Sequence, residues 1–406
     1  MDARVQIQGR RGTGGPFAWI GRRVLARIDR GIAAGAITAS LPGDVPRRVG
    51  GRVAGPEAIV ILHSWRSLWR LATGGSAGWY EAWAAGEWES PDPVALFELF
   101  TLNRHTLARA ARAQGLGRWL RRQWHRARHN DRAGAKRNIV EHYDLGNEFY
   151  ELWLDPSMTY SSALFAAPDQ SLEDAQNAKL QAIFDRTGCG PGDRILEIGC
   201  GWGSFAETAA RAGAKVHGIT LSGEQKAYAA ERLARQDLAG EITLTDYRDV
   251  TGTYDGVASI EMVEAVGAEY WRDYLTTIAR ALKPGGRAAI QYISIDDAIY
   301  EDYASNVDFI QRYVFPGGML LSESRFRAIA ERVGLTWQDR HGFGRDYAET
   351  LQRWRAAFDA VVAAGSLPPR FDRRFIGLWR YYLMYCEGGF RGGAIDVAQV
   401  TLVKAG

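Results

Sequence analysis

The segment from Arg194 to Gly203, with the sequence RILEIGCGWG, restricts the possible folds of this chain more than any other stretch. Its first five residues have the apolar character of a buried strand, and glycine then occupies every second position from 199 to 203. Glycine lacks a Cβ atom, so its backbone can take positive φ angles and approach a bound ligand closely. An apolar, helix-like segment follows at 204–210. The stretch therefore predicts a strand, a ligand-binding turn and a helix.

Glu197 narrows the class of ligand, because a carboxylate at the strand end repels phosphate and attracts a cationic amine. The loop also lacks the Lys-Ser/Thr pair of a phosphate-binding P-loop and the spacing of the dinucleotide fingerprint. Its pattern fits S-adenosylmethionine (SAM) methyltransferases, although a plain glycine turn is the alternative. We expect Gly199, Gly201 and Gly203 to contact SAM, and Glu197 to help bind its α-amine.

Strand and helix patterns alternate through the rest of this region. Such alternation is typical of a doubly wound parallel sheet, whose ligands bind at the carboxyl ends of the strands. The predicted class is α/β: a seven-stranded, Rossmann-like class I methyltransferase domain with helical insertions, preceded by a smaller α/β or α+β domain. The predicted strands lie at 194–198, 215–220, 242–245, 256–261 and 287–293, and the predicted helices at 171–184, 223–235 and 269–282.

The length of 406 residues suffices for two domains with their own cores. We predict a disordered tail at 1–20, an N-terminal lipid-associated domain at 21–115, a basic linker at 116–137 and the methyltransferase domain at 138–406. Three scattered cysteines form neither a disulfide framework nor a metal site. With no apolar run of membrane-spanning length and no signal peptide, we expect a cytoplasmic protein that can attach to a membrane surface.

The stretch from Arg104 to Arg137 carries the strongest charge bias, with eleven Lys or Arg residues and a single acid, Asp131. Trp119 and Trp124 are interleaved with the basic residues. The pattern permits a solvated connecting helix, a surface for anionic lipid, or a nucleic-acid site. No nucleic-acid-binding module accompanies it, so we expect no nucleic-acid partner. Each basic residue near an anionic bilayer contributes on the order of 1 kcal/mol, which supports the lipid interpretation.

Several motifs occur in a fixed order along residues 138–404, and together they resemble the cyclopropane fatty acid synthase family of methyltransferases. The resemblance implies transfer of the SAM methyl group to a cis double bond in a phospholipid acyl chain. A carbocation would form, and bound bicarbonate would remove a methyl proton to close the ring. The motifs are HYDLGN at 142–147, TYS at 159–161, the glycine loop, TLSGEQ at 220–225, DYRD at 246–249, EMVEAVG at 261–267, FPGG at 315–318 and YCEGGFR at 385–391.

Strand ends and the resemblance together assign the remaining cofactor contacts. The second strand ends without the acidic residue that binds ribose in most methyltransferases of this fold, and the family uses other side chains there. We expect ribose contacts from Thr220 and Gln225, adenine contacts from Tyr247 and Arg248, and closure over the methionine end by Tyr160 and Ser161.

The resemblance also indicates catalytic residues. Tyr347 matches a family position at the proton-accepting site, and Cys386 matches a cysteine assigned to the active site, where packing is its alternative role. Glu264 follows the fourth strand, the right place for a carboxylate that orients the base. Ser162 and Gln291 replace a cysteine and a histidine that help to hold bicarbonate in many members. Both can donate hydrogen bonds, so bicarbonate can still be a ligand.

The replacements at Ser162 and Gln291 leave two products possible, a cyclopropane ring or a methyl-branched chain. If another proton is lost, the product is a methyl-branched, unsaturated chain without a ring. A small-molecule N-methyltransferase is a second alternative, because some alkaloid enzymes share the motifs, and a lipid-binding protein with an inactive cofactor site is a third. The expected partners are a membrane phospholipid and an anionic inner-membrane surface, with a homodimer left open.

Overall fold

The computed structural model describes residues 16–111 and 145–406. The N-terminal part is built on a mixed sheet in the order β2-β1-β3-β4, in which only the β1–β3 pair is parallel. Its first helix begins at Pro16, so the disordered tail predicted for 1–20 extended too far; residues 1–15 and the basic linker lie outside the described residues. The elements are α1 (Pro16–Gly31), β1 (Ala36–Ser40), β2 (Arg47–Gly50), β3 (Glu57–Leu62), α2 (Arg66–Ala84), β4 (Trp88–Glu89), α3 (Pro93–Leu102) and α4 (Arg104–Ala111).

The second sheet confirms the predicted fold class. Its seven main strands follow the order β11-β12-β9-β8-β5-β6-β7, with β10 beside β9, and β12 runs antiparallel to its neighbours. The chain starts in the middle at β5 and winds outward in both directions, which creates a crevice at the carboxyl ends of β5, β6 and β8. The strands are β5 (Arg194–Ile198), β6 (Lys215–Thr220), β7 (Gly240–Leu244), β8 (Tyr254–Ile260), β9 (Leu282–Ile295), β10 (Leu321–Ser322), β11 (Leu335–Gly342) and β12 (Ile395–Lys404).

Helices cover this sheet and also form two insertions, one between β9 and β10 and one between β11 and β12. Gly285 and Gly286, a pair typical of a turn, lie within β9, where a register shift between Tyr254 and Gly256 interrupts the pairing with β8. The helices are α5 (Asn147–Glu151), α6 (Leu172–Thr187), α7 (Ser204–Arg211), α8 (Gly223–Ala234), α9 (Trp271–Ala281), α10 (Tyr300–Ala304), α11 (Phe309–Tyr313), α12 (Glu323–Arg332), α13 (Gly344–Ala363) and α14 (Arg373–Arg391).

The N-terminal part packs directly on the inserted helices. A Cβ atom at Gly388 of α14 would lie 2.4 Å from Cβ of Phe97 in α3, so glycine permits this close helix contact. Tyr80 of α2 lies within 5.0 Å, between ring centroids, of Phe309 and Tyr381. The two parts of the chain therefore share one aromatic core. In the described ranges no helix has both the length and the apolar character to cross a membrane.

Candidate active site

A cavity of about 180 Å³ lies in the crevice at the ends of β5, β6 and β8. It contains eight of the ten predicted cofactor contacts. Gly203 and Arg248 do not line it: a Cβ atom at Gly203 would lie 2.8 Å from Cβ of Ala229, and the Arg248 guanidinium is ion-paired with Asp246 at 2.7 Å. The eight that line the cavity are Tyr160, Ser161, Glu197, Gly199, Gly201, Thr220, Gln225 and Tyr247.

The glycine loop forms one wall of this cavity. Gly199 and Gly201 have φ angles of 82° and 51°, in the region that favours glycine. The amides of Gly199 and Cys200 both donate to the Ile219 carbonyl at 3.0 Å, which ties the loop to β6. A Cβ atom at Gly201 would meet no atom of the described chain within 4 Å, so the cavity side of this residue is open. The loop can therefore accept a ligand against its backbone.

Glu197 places a buried carboxylate group in the wall of the same cavity. Glu197 is 3% exposed, and its Oε2 has no hydrogen-bond partner among the described residues. Burial raises the pKa of this carboxyl to about 8, although Lys179 and the Ala206 amide act in the opposite direction. A ligand ammonium group would provide both the missing partner and a compensating charge. Glu197 thus fits the α-amine of SAM.

Lys179 of α6 lines the same cavity and was not among the predicted cofactor contacts. It is fully buried, donates from Nζ to Ser161 Oγ at 2.7 Å and lines the cavity. Burial lowers its pKa to about 8, and the nearby carboxylates of Glu261, Asp155 and Glu197 oppose that shift. A signal was present in the sequence, because Lys179 lies four positions after Ala175 and four before Ile183, two apolar residues on the buried face of α6.

A second, larger cavity of about 900 Å³ adjoins the first. Its volume lies in the range of roughly 300–1,000 Å³ that is usual for ligand pockets. Aromatic and aliphatic side chains from both parts of the chain line it, including Trp79 and Phe97 from the N-terminal part and Tyr382 and Phe390 from α14. Tyr160 and Glu261 line both cavities, so the two meet at these side chains.

Glu261 is the most closely held carboxylate at this junction, and it too was absent from the predicted site. Its Oε1 accepts from the Ser162 amide at 2.9 Å and from Gln291 Nε2 at 2.8 Å, and its Oε2 accepts from Tyr347 OH at 2.7 Å. Burial raises its pKa, and these three donors and Lys179 counteract the shift. Its φ angle of 48° is costly for a non-glycine residue, by about 1–2 kcal/mol. Its position directly after β8 was the available signal.

Three predicted catalytic residues, Ser162, Gln291 and Tyr347, thus donate hydrogen bonds to the carboxylate of Glu261, which was not predicted. The Ser162 hydroxyl itself donates to the Ala163 carbonyl at 2.9 Å, so this residue faces Glu261 through its backbone amide and not through its side chain. Gln399 of β12 donates to Gln291 Oε1 at 3.1 Å and fixes the orientation of that amide.

Glu264 and Cys386 line the larger cavity. Glu264 Oε1 accepts from the Ile293 amide at 2.5 Å, and within residues 16–111 and 145–406 its Oε2 has no hydrogen-bond partner. Burial, together with the nearby Glu261, raises the pKa of Glu264 to about 8. Burial also raises the pKa of the Cys386 thiol, so it remains protonated at neutral pH. A protonated thiol in an apolar wall is suited to packing rather than to nucleophilic attack.

Comparisons with known proteins agree with this geometry. Residues 130–400 match the family model described as mycolic acid cyclopropane synthetase. The chain is 36% identical to the tuberculostearic acid methyltransferase UfaA1 of Mycobacterium tuberculosis, over 83% of this chain and 81% of that one. It is 37% identical to the cyclopropane-fatty-acyl-phospholipid synthase of Escherichia coli, over 65% of this chain and 67% of that one.

A solved structure gives the same result. The crystal structure of the mycolic acid cyclopropane synthase CmaA1, complexed with SAH and CTAB, superposes with a TM-score of 0.63 and 30% identity, covering 66% of this chain and 98% of that one. The coclaurine N-methyltransferase structure has 20% identity and shares the fold alone. The lipid-binding protein with an inactive cofactor site is therefore no longer a viable alternative. This chain is a SAM-dependent methyltransferase and belongs to the mycolic acid cyclopropane synthetase family.

Proposed function

We propose that this enzyme transfers the methyl group of SAM to the cis double bond of an unsaturated acyl chain in a phospholipid. The observation that carries the proposal is the Glu261 carboxylate, held by three donors where the cofactor cavity meets the large apolar cavity. The names of two relatives, a fatty-acyl-phospholipid synthase and a tuberculostearic acid methyltransferase, support an acyl-lipid substrate.

The residues around the cofactor cavity fit SAM, which when bound supplies an electrophilic methyl group. Glu197 would bind the amine, the backbone at Gly199 and Gly201 would lie against the cofactor, and Thr220 would contact the ribose. Thr220 Oγ1 donates to Gln225 Oε1 at 2.9 Å, which fixes this pair at the end of β6. The chain thereby orients the methyl group toward the larger cavity.

An alkene is a poor nucleophile, so catalysis depends on positioning and on stabilising positive charge. After methyl addition, the acyl chain carries a carbocation next to the junction of the two cavities. The rings of Tyr160, Tyr347 and Phe390 line the cavity there. Aromatic faces stabilise a cation by roughly 0.5–2 kcal/mol each in a desolvated site. Glu261 adds a negative charge on the same side.

We propose that Glu261 itself accepts the proton, in place of the bicarbonate expected from the resemblance. Ser162, Gln291 and Tyr347 were the residues expected around bicarbonate, and all three donate to the Glu261 carboxylate. Burial raises the pKa of Glu261, which makes its ionised form a stronger base than an exposed carboxylate. Bicarbonate is then not required for turnover.

The proton that leaves determines the product. Loss from the transferred methyl group closes a cyclopropane ring, whereas loss from a neighbouring chain carbon gives a methyl-branched alkene. SAM with a trideuterated methyl group distinguishes them, because the ring keeps two deuterium atoms and the branched product keeps three. We propose the ring as the product, on the family resemblance; three retained deuterium atoms in the purified lipid would refute it. No mass gain in any unsaturated phospholipid would refute the substrate assignment.

The substrate implies peripheral attachment to an anionic membrane surface, at the cytoplasmic face of the inner membrane. Removing a dozen methylenes from water would yield about 10 kcal/mol, but from a bilayer the net gain is close to zero. The enzyme must therefore reach its substrate at the membrane surface. Most of the predicted basic stretch lies outside the described residues, and its first member, Arg104, is ion-paired with Asp296 at 2.6 Å.

A further inference from the structure

A surface formed by α1 and α2 combines exposed tryptophan with arginines that form no ion pair with any described carboxylate. We name it the α1–α2 face and define it by Trp19, Arg22, Arg23, Arg30 and Trp69. Trp19 is 61% exposed and Trp69 is 38% exposed, which is unusual for the largest apolar side chain. Arg22, Arg23 and Arg30 lie three, four and eleven positions after Trp19, so all four side chains share one side of α1.

The charge of this face is not neutralised within the described parts of the chain. Arg22, Arg23 and Arg30 are exposed, and none lies within ion-pair distance of a described carboxylate. Asp29, the one acid of α1, is paired with Arg52 at 2.9 Å and accepts from the Gly50 amide at 2.8 Å. The face is therefore strongly cationic, and its complement is a surface rich in negative charge.

The α1–α2 face also adjoins the opening of the large cavity. Arg27 of α1 and Ala72 of α2 are exposed to solvent and line that cavity. Val24, Ile28 and Leu71 continue the lining inward with aliphatic side chains. The Phe17 ring of α1 packs on Trp69 of α2 with 5.7 Å between centroids, which joins the two helices. An apolar path thus leads from the cationic surface into the cavity.

We propose that the α1–α2 face docks on an anionic lipid bilayer and places the cavity opening against the bilayer surface. Arginine binds lipid phosphates, and tryptophan is stable in the headgroup region, where one part of its ring is apolar and the N–H group is hydrated. Docking in this orientation lets an acyl chain enter without crossing water. The inference rests on the proposed lipid substrate, because the cavity is taken as the acyl site.

The test uses the full-length protein and two vesicle compositions, phosphatidylcholine alone and an equal mixture with phosphatidylglycerol. The variant Arg22→Glu/Arg23→Glu/Arg30→Glu should bind the anionic vesicles at least about 100-fold more weakly than the wild type in sedimentation assays. Trp19→Ser should weaken binding by a smaller factor. Both variants should keep wild-type affinity for SAM and wild-type turnover of detergent-dispersed phospholipid.

The matched control Lys215→Glu/Arg272→Glu/Arg332→Glu changes three exposed basic residues of the catalytic part by the same total charge. It should retain vesicle binding within about threefold. Wild-type binding by the α1 variant, or an equal loss in the control, would overturn the proposed surface. If the charge-reversed variant does not fold, replacement of the same arginines by glutamine tests the same loss. Vesicle binding by a protein that methylates no lipid would refute the proposed function and leave the docking surface intact.

Discussion

Replacement of Glu261 by glutamine should remove the proton acceptor and preserve the shape of the site. A glutamine oxygen at the position of Oε1 can still accept from the Ser162 amide and Gln291, which lie at 2.9 Å and 2.8 Å. The Tyr347 hydroxyl, now 2.7 Å from Oε2, can rotate to accept from the new amide. We therefore expect the free energy of unfolding to change by only about 1 kcal/mol.

The expected effect on turnover is much larger. A positioned general base contributes typically about 10²–10⁴-fold, equivalent to roughly 3–5 kcal/mol of the barrier. The kcat of Glu261→Gln should fall by that factor, with SAM affinity unchanged, when labelled methyl transfer to phospholipid is measured. Glu241→Gln, at an exposed position on β7, is a matched control and should keep wild-type turnover.

Glu261→Gly provides a more demanding test. Glycine accepts the φ angle of 48° without strain, and the three donors would then surround an open space. Added bicarbonate or formate should bind there and restore part of the activity, with a saturable dependence on its concentration. Retention of more than a third of wild-type kcat by Glu261→Gln would refute the role of Glu261. Strict dependence of the wild-type enzyme on bicarbonate, in carefully degassed buffers, would refute it as well.

Four further substitutions test individual residues. Tyr347→Phe removes a hydrogen bond that lowers the pKa of Glu261, so the acid limb of the kcat–pH profile should move to higher pH; an unmoved limb would contradict the contact. Glu197→Gln should weaken SAM binding by about 10–150-fold. In the wild type, SAM affinity should rise with pH up to about 8, with proton release in calorimetry, because the amine binds the ionised Glu197 carboxyl. Gly201→Ala should destabilise the fold by about 1–2 kcal/mol and weaken SAM binding, since its φ angle is 51° and its Cβ would enter the cavity. Cys386→Ser should keep kcat within about fivefold, and a hundredfold loss would restore a chemical role for the thiol.

The central part of the fold was readable from the sequence because its signals are local. The bounds of β5 and β6 agree with the predicted 194–198 and 215–220, where apolar runs end at glycine or at a helix cap. Glu197 was identified because an acid at the end of a buried strand stands out in the sequence. The predicted strand 287–293 was too short, because β9 begins earlier, at Leu282. Gly285 and Gly286, a pair typical of a turn, lie inside β9 where its pairing with β8 changes register.

The base site was not readable in the same way, because its contacts join distant segments. Tyr347 and Ser162 lie 86 and 99 positions from Glu261, and no periodicity connects them. Positive φ at a glutamate also contradicts local preference, so only tertiary structure could indicate it. Gly203 was predicted to contact the ligand but does not line the cavity. A glycine is needed there because the start of α7 packs closely against Ala229 of α8.

The position of β12 has a consequence for how the protein is made. This strand comes after every other strand of its sheet along the chain, yet it lies between β9 and β11 and carries Gln399 to the Gln291 amide. While a ribosome is still synthesising the preceding segments, the sheet has an open slot, and β9 lacks its antiparallel neighbour. Ser162, Gln291 and Tyr347, the three donors to Glu261, all precede β12, but Gln291 lacks its contact with Gln399 until that strand is in place. The insertion of β12 between β9 and β11 is therefore the step that fixes the Gln291 amide.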